Sequence, residues 1–270
     1  MHDYRKPTAN EQNAAPSASN SLASNSAANL TLLLKTTIKR ILAPIFKLTA
    51  NRDKGLSQEL QYWNKWLSNH GGTDATGYQK RIDPALALSD YHGEIVDRLG
   101  RDTIRILDVG AGPLTVVGKW WKNYNIDLVA VDPLADEYDI LLEQNHLEPP
   151  VRTKKCLGEN LSTEFGRETF DLVTAINSID HAEDPVQIVD QMYSVCKLGG
   201  FLVLSHIENE AKKEGYRGLH QWNLSLQDNN FVIEGHGTTT YIDDLYRGKL
   251  EMVNHRDGEW IQIIAKKIGV

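Results

Sequence analysis

The chain has 270 residues, a formal charge of −7 and 24% charged residues, which suits one large soluble domain or one domain with appendages. No global basic excess exists, so a nucleic-acid protein whose affinity rests on phosphate neutralisation is disfavoured. The two cysteines, Cys156 and Cys196, are too few for a disulfide scaffold and lack zinc-ligand spacing; no metal ligands are assigned, and a reducing cytoplasm is the expected setting.

Charge is unevenly spread. Residues 1–52 hold seven bases against Asp3 and Glu11, a surplus of +5, so the remaining 218 residues carry −12. Residues 1–29 read as a disordered arm rich in Ala, Ser and Asn. Its stretch 7–29 has one large aliphatic residue, Leu22, too little to offset the entropy of ordering. No secretory signal is expected, since the first apolar run starts near residue 30. Within residues 30–52, Leu33, Leu34, Ile38, Ile41 and Leu42 recur at helical spacing, with Lys35, Lys39 and Arg40 between them. Those cations and Pro44 argue against a bilayer span, which needs roughly twenty mainly apolar residues. The pattern predicts a basic amphipathic helix, with residues 30–50 lying on the cytoplasmic face of an anionic membrane. The alternative is a helix that docks on the main domain or on another subunit.

A helical cap is expected over 53–101. Leu56, Leu60, Trp63 and Leu67 form one stripe of a helix from Leu56 to Ser68, leaving Tyr62 and Trp66 off it and able to line a pocket. Gly71 and Gly72 stop that helix, residues 73–82 read as a loop, and Ser89 caps a helix through Leu99.

From residue 102 apolar runs of strand length alternate with amphipathic stretches. Strands are predicted at Thr103–Val109, Asp127–Val131, Thr153–Leu157, Phe170–Ile176 and Phe201–Ser205. Helices are predicted at about 113–124, carrying Trp120 and Trp121 as packing residues, at 135–144 and at 185–197. Continuous apolar strands in β-α alternation imply a parallel sheet covered on both faces. Phe231–Gly235 and Trp260–Ala265, separated by polar and irregular sequence, read as an antiparallel pair.

The first strand runs into Asp108-Val109-Gly110-Ala111-Gly112-Pro113, and the second ends at Asp132-Pro133, twenty-four residues after Asp108. Glycines between strand and helix admit close approach of a ligand to the backbone, at the strand ends where open α/β sheets bind ligands. An acid at the end of the second strand can accept both hydroxyls of a ribose. The dinucleotide fingerprint wants a third glycine where Thr115 stands. Asp108, two residues before the first glycine, suits a cationic ligand better than a pyrophosphate.

These residues resemble the first motif of the class I S-adenosylmethionine-dependent methyltransferases, read here as Leu107-Asp108-Val109-Gly110-Ala111-Gly112. Four further matches follow in order: Ala130-Val131-Asp132, Gly158-Glu159-Asn160-Leu161, Phe170-Asp171-Leu172-Val173 leading to Asn177-Ser178-Ile179-Asp180-His181, and Leu198-Gly199-Gly200-Phe201-Leu202-Val203-Leu204. The resemblance covers about residues 100–270. It implies a Rossmann-like α/β sheet of seven strands, six parallel and one antiparallel, with helices on both faces. It also implies S-adenosylmethionine as cofactor, held by Asp108, Gly110, Ala111 and Gly112 around the methionine part and by Asp132 and Pro133 at the ribose. Glu159 and Asn160 would meet the adenine, and Asn177 would lie near the sulfonium.

The expected reaction is O-methylation of a small polar or saccharide acceptor. The alternatives are N-methylation of a small amine and a catalytically silent cofactor-binding subunit. Acceptor candidates lie in 56–92 (Tyr62, Trp66, Tyr78, Arg81, Tyr91) and in two stretches after the fifth strand, Ser205–Glu210 and Tyr216–Asn223. The latter also reads as an amphipathic helix with Leu219 and Trp222 inward. His181 is the first choice of catalytic base, with His206 and His220 in reserve; for His206 and His236 the plain alternative is a structural histidine. A dyad between Asp180 and His181 is not assumed, because consecutive residues of an extended chain face opposite ways.

Overall fold

The computed structural model describes residues 52–269. The arm expected at 1–29 and the helix expected at 30–52 lie outside the described residues, apart from Arg52. Among the described residues no helix is long and apolar enough to cross a membrane.

The described chain opens with helix α1 (52–68), α2 (Ala75–Ile82) and α3 (Asp90–Leu99), followed by β1 (Thr103–Val109) and β2 (Asn125–Asp132). Then come α4 (Ala135–Gln144), β3 (Lys154–Lys155), α5 (Leu161–Phe165), β4 (Phe170–Ile176), α6 (Pro185–Val195) and β5 (Cys196–Ile207). The last part holds α7 (Glu210–Lys213), β6 (Asn223–Gln227), β7 (Asn230–Gly235), β8 (Thr238–Tyr241), α8 (Ile242–Leu245), β9 (Leu250–Asp257) and β10 (Trp260–Lys267).

Seven strands form the main sheet in the order β3-β2-β1-β4-β5-β10-β9. The first five run parallel, β10 runs antiparallel to β5, and β9 is antiparallel to β10. Six strands therefore share one direction and β10 alone opposes them, as the resemblance implies. The alternation of side chains explains why both faces are covered. On one face Leu107, Val173, Leu202 and Leu204 pack with Ile188, Val189 and Met192 of α6. On the other, Ile104, Ile106, Leu172 and Val203 pack with Ile95 and Val96 of α3.

Strand order reverses about β1: the chain steps outward from β1 to β2 and β3, then returns to place β4 on the other side of β1. The crevice at the carboxyl ends of β1 and β4 is therefore the switch point at which such sheets take ligands.

Three local expectations are corrected. Residues 113–124 do not form a helix. Thr115 Oγ1 accepts the N–H of Val117 at 3.0 Å, and Lys119 and Leu88 exchange backbone hydrogen bonds with Leu86 and Trp120. A Cβ at Gly118 would stand 2.1 Å from the Ala87 carbonyl, so the two extended segments touch where helix was expected. Trp120 is half-exposed, with its indole N–H donating to the Ala85 carbonyl. Residues 75–82, inside the expected loop, are helical because Asp74 caps the N–H of Gly77 and Tyr78 is buried beside Trp66. Finally, β7 and β10 are not partners: β7 lies in a separate antiparallel sheet, β6-β7-β8, whereas β10 pairs with β5 and β9. The strand that pairs with β10, β9, falls in the polar and irregular sequence that separated the two predicted strands.

Candidate active site

One cavity of about 560 Å³ opens over the switch point, lined from the sheet by the loop after β1, by Asp132 and by the loop after β4. Drug-sized ligands occupy pockets of about 300–1,000 Å³, so the space suits a cofactor with an acceptor beside it.

The loop after β1 is shaped by its backbone. Gly110 and Gly112 take φ of +73° and +65°, and the N–H groups of Gly110 and Ala111 both donate to the Val131 carbonyl, at 2.8 and 3.0 Å. A Cβ on Gly110 would meet Cβ of Ser178 at 2.4 Å, and one on Gly112 would meet the Trp63 ring at 3.0 Å. Asp108 is buried and accepts the Thr115 hydroxyl at 2.6 Å. Burial lifts its carboxyl to about 6, against the Thr115 hydrogen bond and the Arg81 charge, which pull it down. Arg81 lies over the rings of Trp63 and Trp66 and donates to the Leu114 carbonyl, so a guanidinium faces the cavity at this end.

Asp132 binds two backbone donors, Gly112 N–H to Oδ2 at 3.1 Å and Leu134 N–H to Oδ1 at 2.9 Å. An ionised carboxylate accepts at about four positions, so each oxygen keeps capacity for a hydroxyl. Burial raises this carboxyl to about 6 despite those two hydrogen bonds.

Pro133, Glu159 and Asn177 also line the cavity. Asn177 takes a left-handed φ of 47°, and its side-chain oxygen accepts the Ile207 N–H at 3.0 Å, which ties the end of β4 to β5. Asn160 is corrected: it is exposed at the start of α5 and does not line the cavity.

Of the three histidines, the structure brings two together. His181 Nε2 lies 3.1 Å from His220 Nδ1, and His220 Nδ1 lies 2.8 Å from Asp180 Oδ2. Residues 179–181 form a 3-10 turn rather than an extended segment, so His181 Nε2 also comes within 3.6 Å of Asp180 Oδ2. The hydrogen bond to Asp180 raises His220 above the ordinary imidazole value. Burial pushes Asp180 up, but His181 and the His220 hydrogen bond outweigh it and hold this carboxyl below the usual range. His206 is corrected: it is buried outside the cavity, and burial lowers it to about 4.

The acceptor candidates sort differently from the expectation. Trp63, assigned to a packing stripe, lines the cavity, while Trp66 is buried with Leu67 and Tyr78. Tyr62, Arg81, Glu210, Leu219 and His220 line it; Tyr78, Tyr91 and Trp222 do not. Residues 216–222 are not helical, and Trp222 is a core residue whose indole donates to the Ala182 carbonyl at 3.1 Å. Glu59 was missed: it lines the cavity and accepts the Trp63 indole N–H at 2.8 Å, and only its place one turn before Trp63 signalled it.

A seven-stranded sheet with one reversed strand, and acids at the ends of its first two central strands, is the arrangement of the Rossmann-like methyltransferase fold. Residues 107–204 match the methyltransferase domain family, which supports that class for this segment and indicates S-adenosylmethionine as its cofactor. An uncharacterised methyltransferase of Schizosaccharomyces pombe is 29% identical over 109 residues, 38% of this chain and 39% of that protein. A ubiquinone biosynthesis O-methyltransferase of Psychrobacter cryohalolentis is 27% identical over 111 residues, 40% of this chain and 42% of that protein. The matched part thus spans about two-fifths of the length of these curated relatives. Among solved structures, the 1,6-didemethyltoxoflavin-N1-methyltransferase of Burkholderia thailandensis, crystallised with S-adenosylhomocysteine, gives a TM-score of 0.43 at 17% identity, covering 81% of this chain and 91% of that one. The residues present fit the cofactor: two buried carboxylates and a glycine turn that a side chain would fill border one cavity of sufficient volume.

Proposed function

We propose that the chain is an S-adenosylmethionine-dependent methyltransferase that methylates a hydroxyl of a small polar acceptor, with a saccharide as the favoured class. The observation that carries this reading is the sharing of one cavity by the Asp108–Gly112 turn, Asp132 and the His181–His220–Asp180 cluster. When bound, the cofactor supplies a methyl group on a sulfonium.

Asp132 binds the ribose hydroxyls through its free lone pairs. Asp108 would hold the methionine ammonium, and Arg81 would offer a positive charge at the same end. Glu159 accepts from the adenine amino group. Asn177, braced against β5, would border the sulfonium. The transfer is an in-line displacement, so holding the acceptor oxygen in place supplies much of the rate. His181 would take the hydroxyl proton as the methyl carbon–oxygen bond forms and the carbon–sulfur bond breaks to leave a neutral thioether, and His220, held by Asp180, would position and back that imidazole. Tyr62, Trp63 and Trp260 line this cavity together with Glu59 and Glu210, a set that suits a sugar ring, with aromatic groups for its apolar face and acids for its hydroxyls.

The reading is tested by incubating the protein with methyl-labelled cofactor and saccharide, glycolipid and amine fractions. Label in an alkali-stable ether of the saccharide fraction supports it. Label confined to amines, or none transferred to any fraction, contradicts it.

A further inference from the structure

Asp180 Oδ2, His181 Nε2 and His220 Nδ1 crowd one point on the cavity wall, at separations of 2.8, 3.1 and 3.6 Å. Hydrogen bonding gives this triangle one proton to share among three donor atoms. The carboxylate accepts only, so the single proton of His220 Nδ1 belongs to Asp180. His181 Nε2 then faces a nitrogen with no lone pair to offer it, and three electron-pair donors surround one proton. A second observation comes from the same wall. Asp180, 2% exposed, keeps Oδ1 buried with no hydrogen-bond partner among the described residues, and the cavity-lining Glu210 leaves Oε2 in the same condition. Two carboxylate oxygens at this wall therefore meet no donor among the described residues.

From this geometry we infer that Asp180, His181 and His220 bind one divalent transition-metal cation, with open coordination positions toward the cavity. Ligand bonds of about 2.0–2.2 Å put neighbouring donor atoms about 3.0 Å apart in an octahedron and about 3.4 Å apart in a tetrahedron. The three observed separations bracket both. All three donor atoms lie within 4.8 Å of one another without any rearrangement of the backbone. Two imidazoles and one carboxylate select zinc, iron or cobalt over magnesium and calcium, which prefer oxygen. His181 and His220 face the cavity, whereas Asp180 lies behind them, so the sites left open are those an acceptor oxygen would reach. The inference rests on the function proposed above and revises one step of it: with the cation in place His181 and His220 would be ligands, and an acceptor hydroxyl would be acidified by the metal instead of giving its proton to a free His181.

The test uses the full chain, free of affinity tag and stripped with chelator, titrated with Co²⁺ and Zn²⁺. Binding is read by calorimetry and by the visible absorption of Co²⁺. One equivalent is expected, with Mg²⁺ unable to compete. Asp180→Asn and His220→Ala should each weaken binding at least tenfold, on the order of what altered metal shells cost. His255→Ala, on exposed β9, should bind like wild type. S-adenosylhomocysteine is titrated in parallel to show that each variant is folded. No cobalt or zinc equivalent on the wild-type chain would overturn the inference, as would unchanged metal binding in both cluster variants. Failure of S-adenosylhomocysteine to bind wild type would instead strike the cofactor reading, which the metal titration does not depend on.

Discussion

The backbone N–H of Gly112 donates to Asp132 Oδ2 at 3.1 Å, joining the turn after β1 to the end of β2 across twenty residues of chain. The glycine turn and the acid are thus one cradle, and its charge state is set by burial. Both Asp108 and Asp132 are lifted to about 6, chiefly by desolvation.

A pH dependence follows for cofactor binding. A carboxyl of pKa about 6 is roughly nine-tenths protonated at pH 5, and a protonated Asp132 loses the charge that strengthens its bonds to hydroxyls. Affinity for S-adenosylhomocysteine should fall about tenfold or more between pH 7 and pH 5. Calorimetric titration across that range checks it, and a flat profile would contradict it.

For the unliganded fold the sign is opposite. Folded values above the unfolded one of about 3.9 mean that the native state takes up protons between about pH 6 and pH 4. As far as these two acids go, stability falls as pH rises through that window. Between pH 5 and pH 7 the wild type should lose Tm on this account, and Asp108→Asn and Asp132→Asn should each reduce that loss. An unaltered difference in both variants would assign that pH dependence to other groups.

Gly110→Ala should fail twice. The φ of +73° is strained for alanine, and its Cβ would collide with Ser178, whose hydroxyl donates to the Val109 carbonyl at 2.9 Å. A loss of about 1–3 kcal/mol in a denaturant melt is expected, together with loss of cofactor binding. Wild-type behaviour in both would show that the turn relaxes freely.

Two tryptophans one turn apart should separate function from folding. Trp63→Ala removes a ring from the cavity wall and should weaken cofactor binding more than it destabilises the chain. Trp66→Ala empties a core position and should cost about 3–5 kcal/mol of stability. Thermal melts and cofactor titrations on both variants read this out; the reverse pattern would return both residues to their sequence-based assignments.

These tryptophans also mark how far the sequence alone reaches. The strands and the Asp108–Gly112 turn are legible because burial on both faces demands unbroken apolar runs and a tight turn demands glycine. Asp132 is legible from its place at a strand end. Residues 113–124 mislead because the helical spacing of Leu114, Val117 and Trp121 is real, yet Gly118 meets Ala87, a contact no local pattern encodes. Trp63 and Trp66 could not be sorted from α1 alone, since which side faces the core depends on α2, whose cap at Asp74 sits among residues that read as loop. The meeting of His181 with His220, thirty-nine residues apart, is a product of the tertiary fold. Each imidazole was visible as a candidate, and their pairing was not.

His181→Ala and His220→Ala should each lower methyl transfer at least tenfold, within the range that a positioned acid or base contributes. Cofactor affinity should remain, because neither ring touches the turn at Asp108–Gly112 or Asp132 by hydrogen bond. Single-turnover rates beside binding constants check this, and wild-type turnover in both variants would remove the cluster from the reaction.

The central claim, that the cavity above β1 and β4 is a cofactor site for methyl transfer, is tested most directly by titrating S-adenosylhomocysteine into wild type and Asp132→Ala. One equivalent should bind to wild type, unaffected by excess NAD. The variant should bind ten- to a hundredfold more weakly, as expected for loss of hydrogen bonds to a charged group of about 1.5–3 kcal/mol. Equal binding to both proteins, or displacement by NAD, would contradict it.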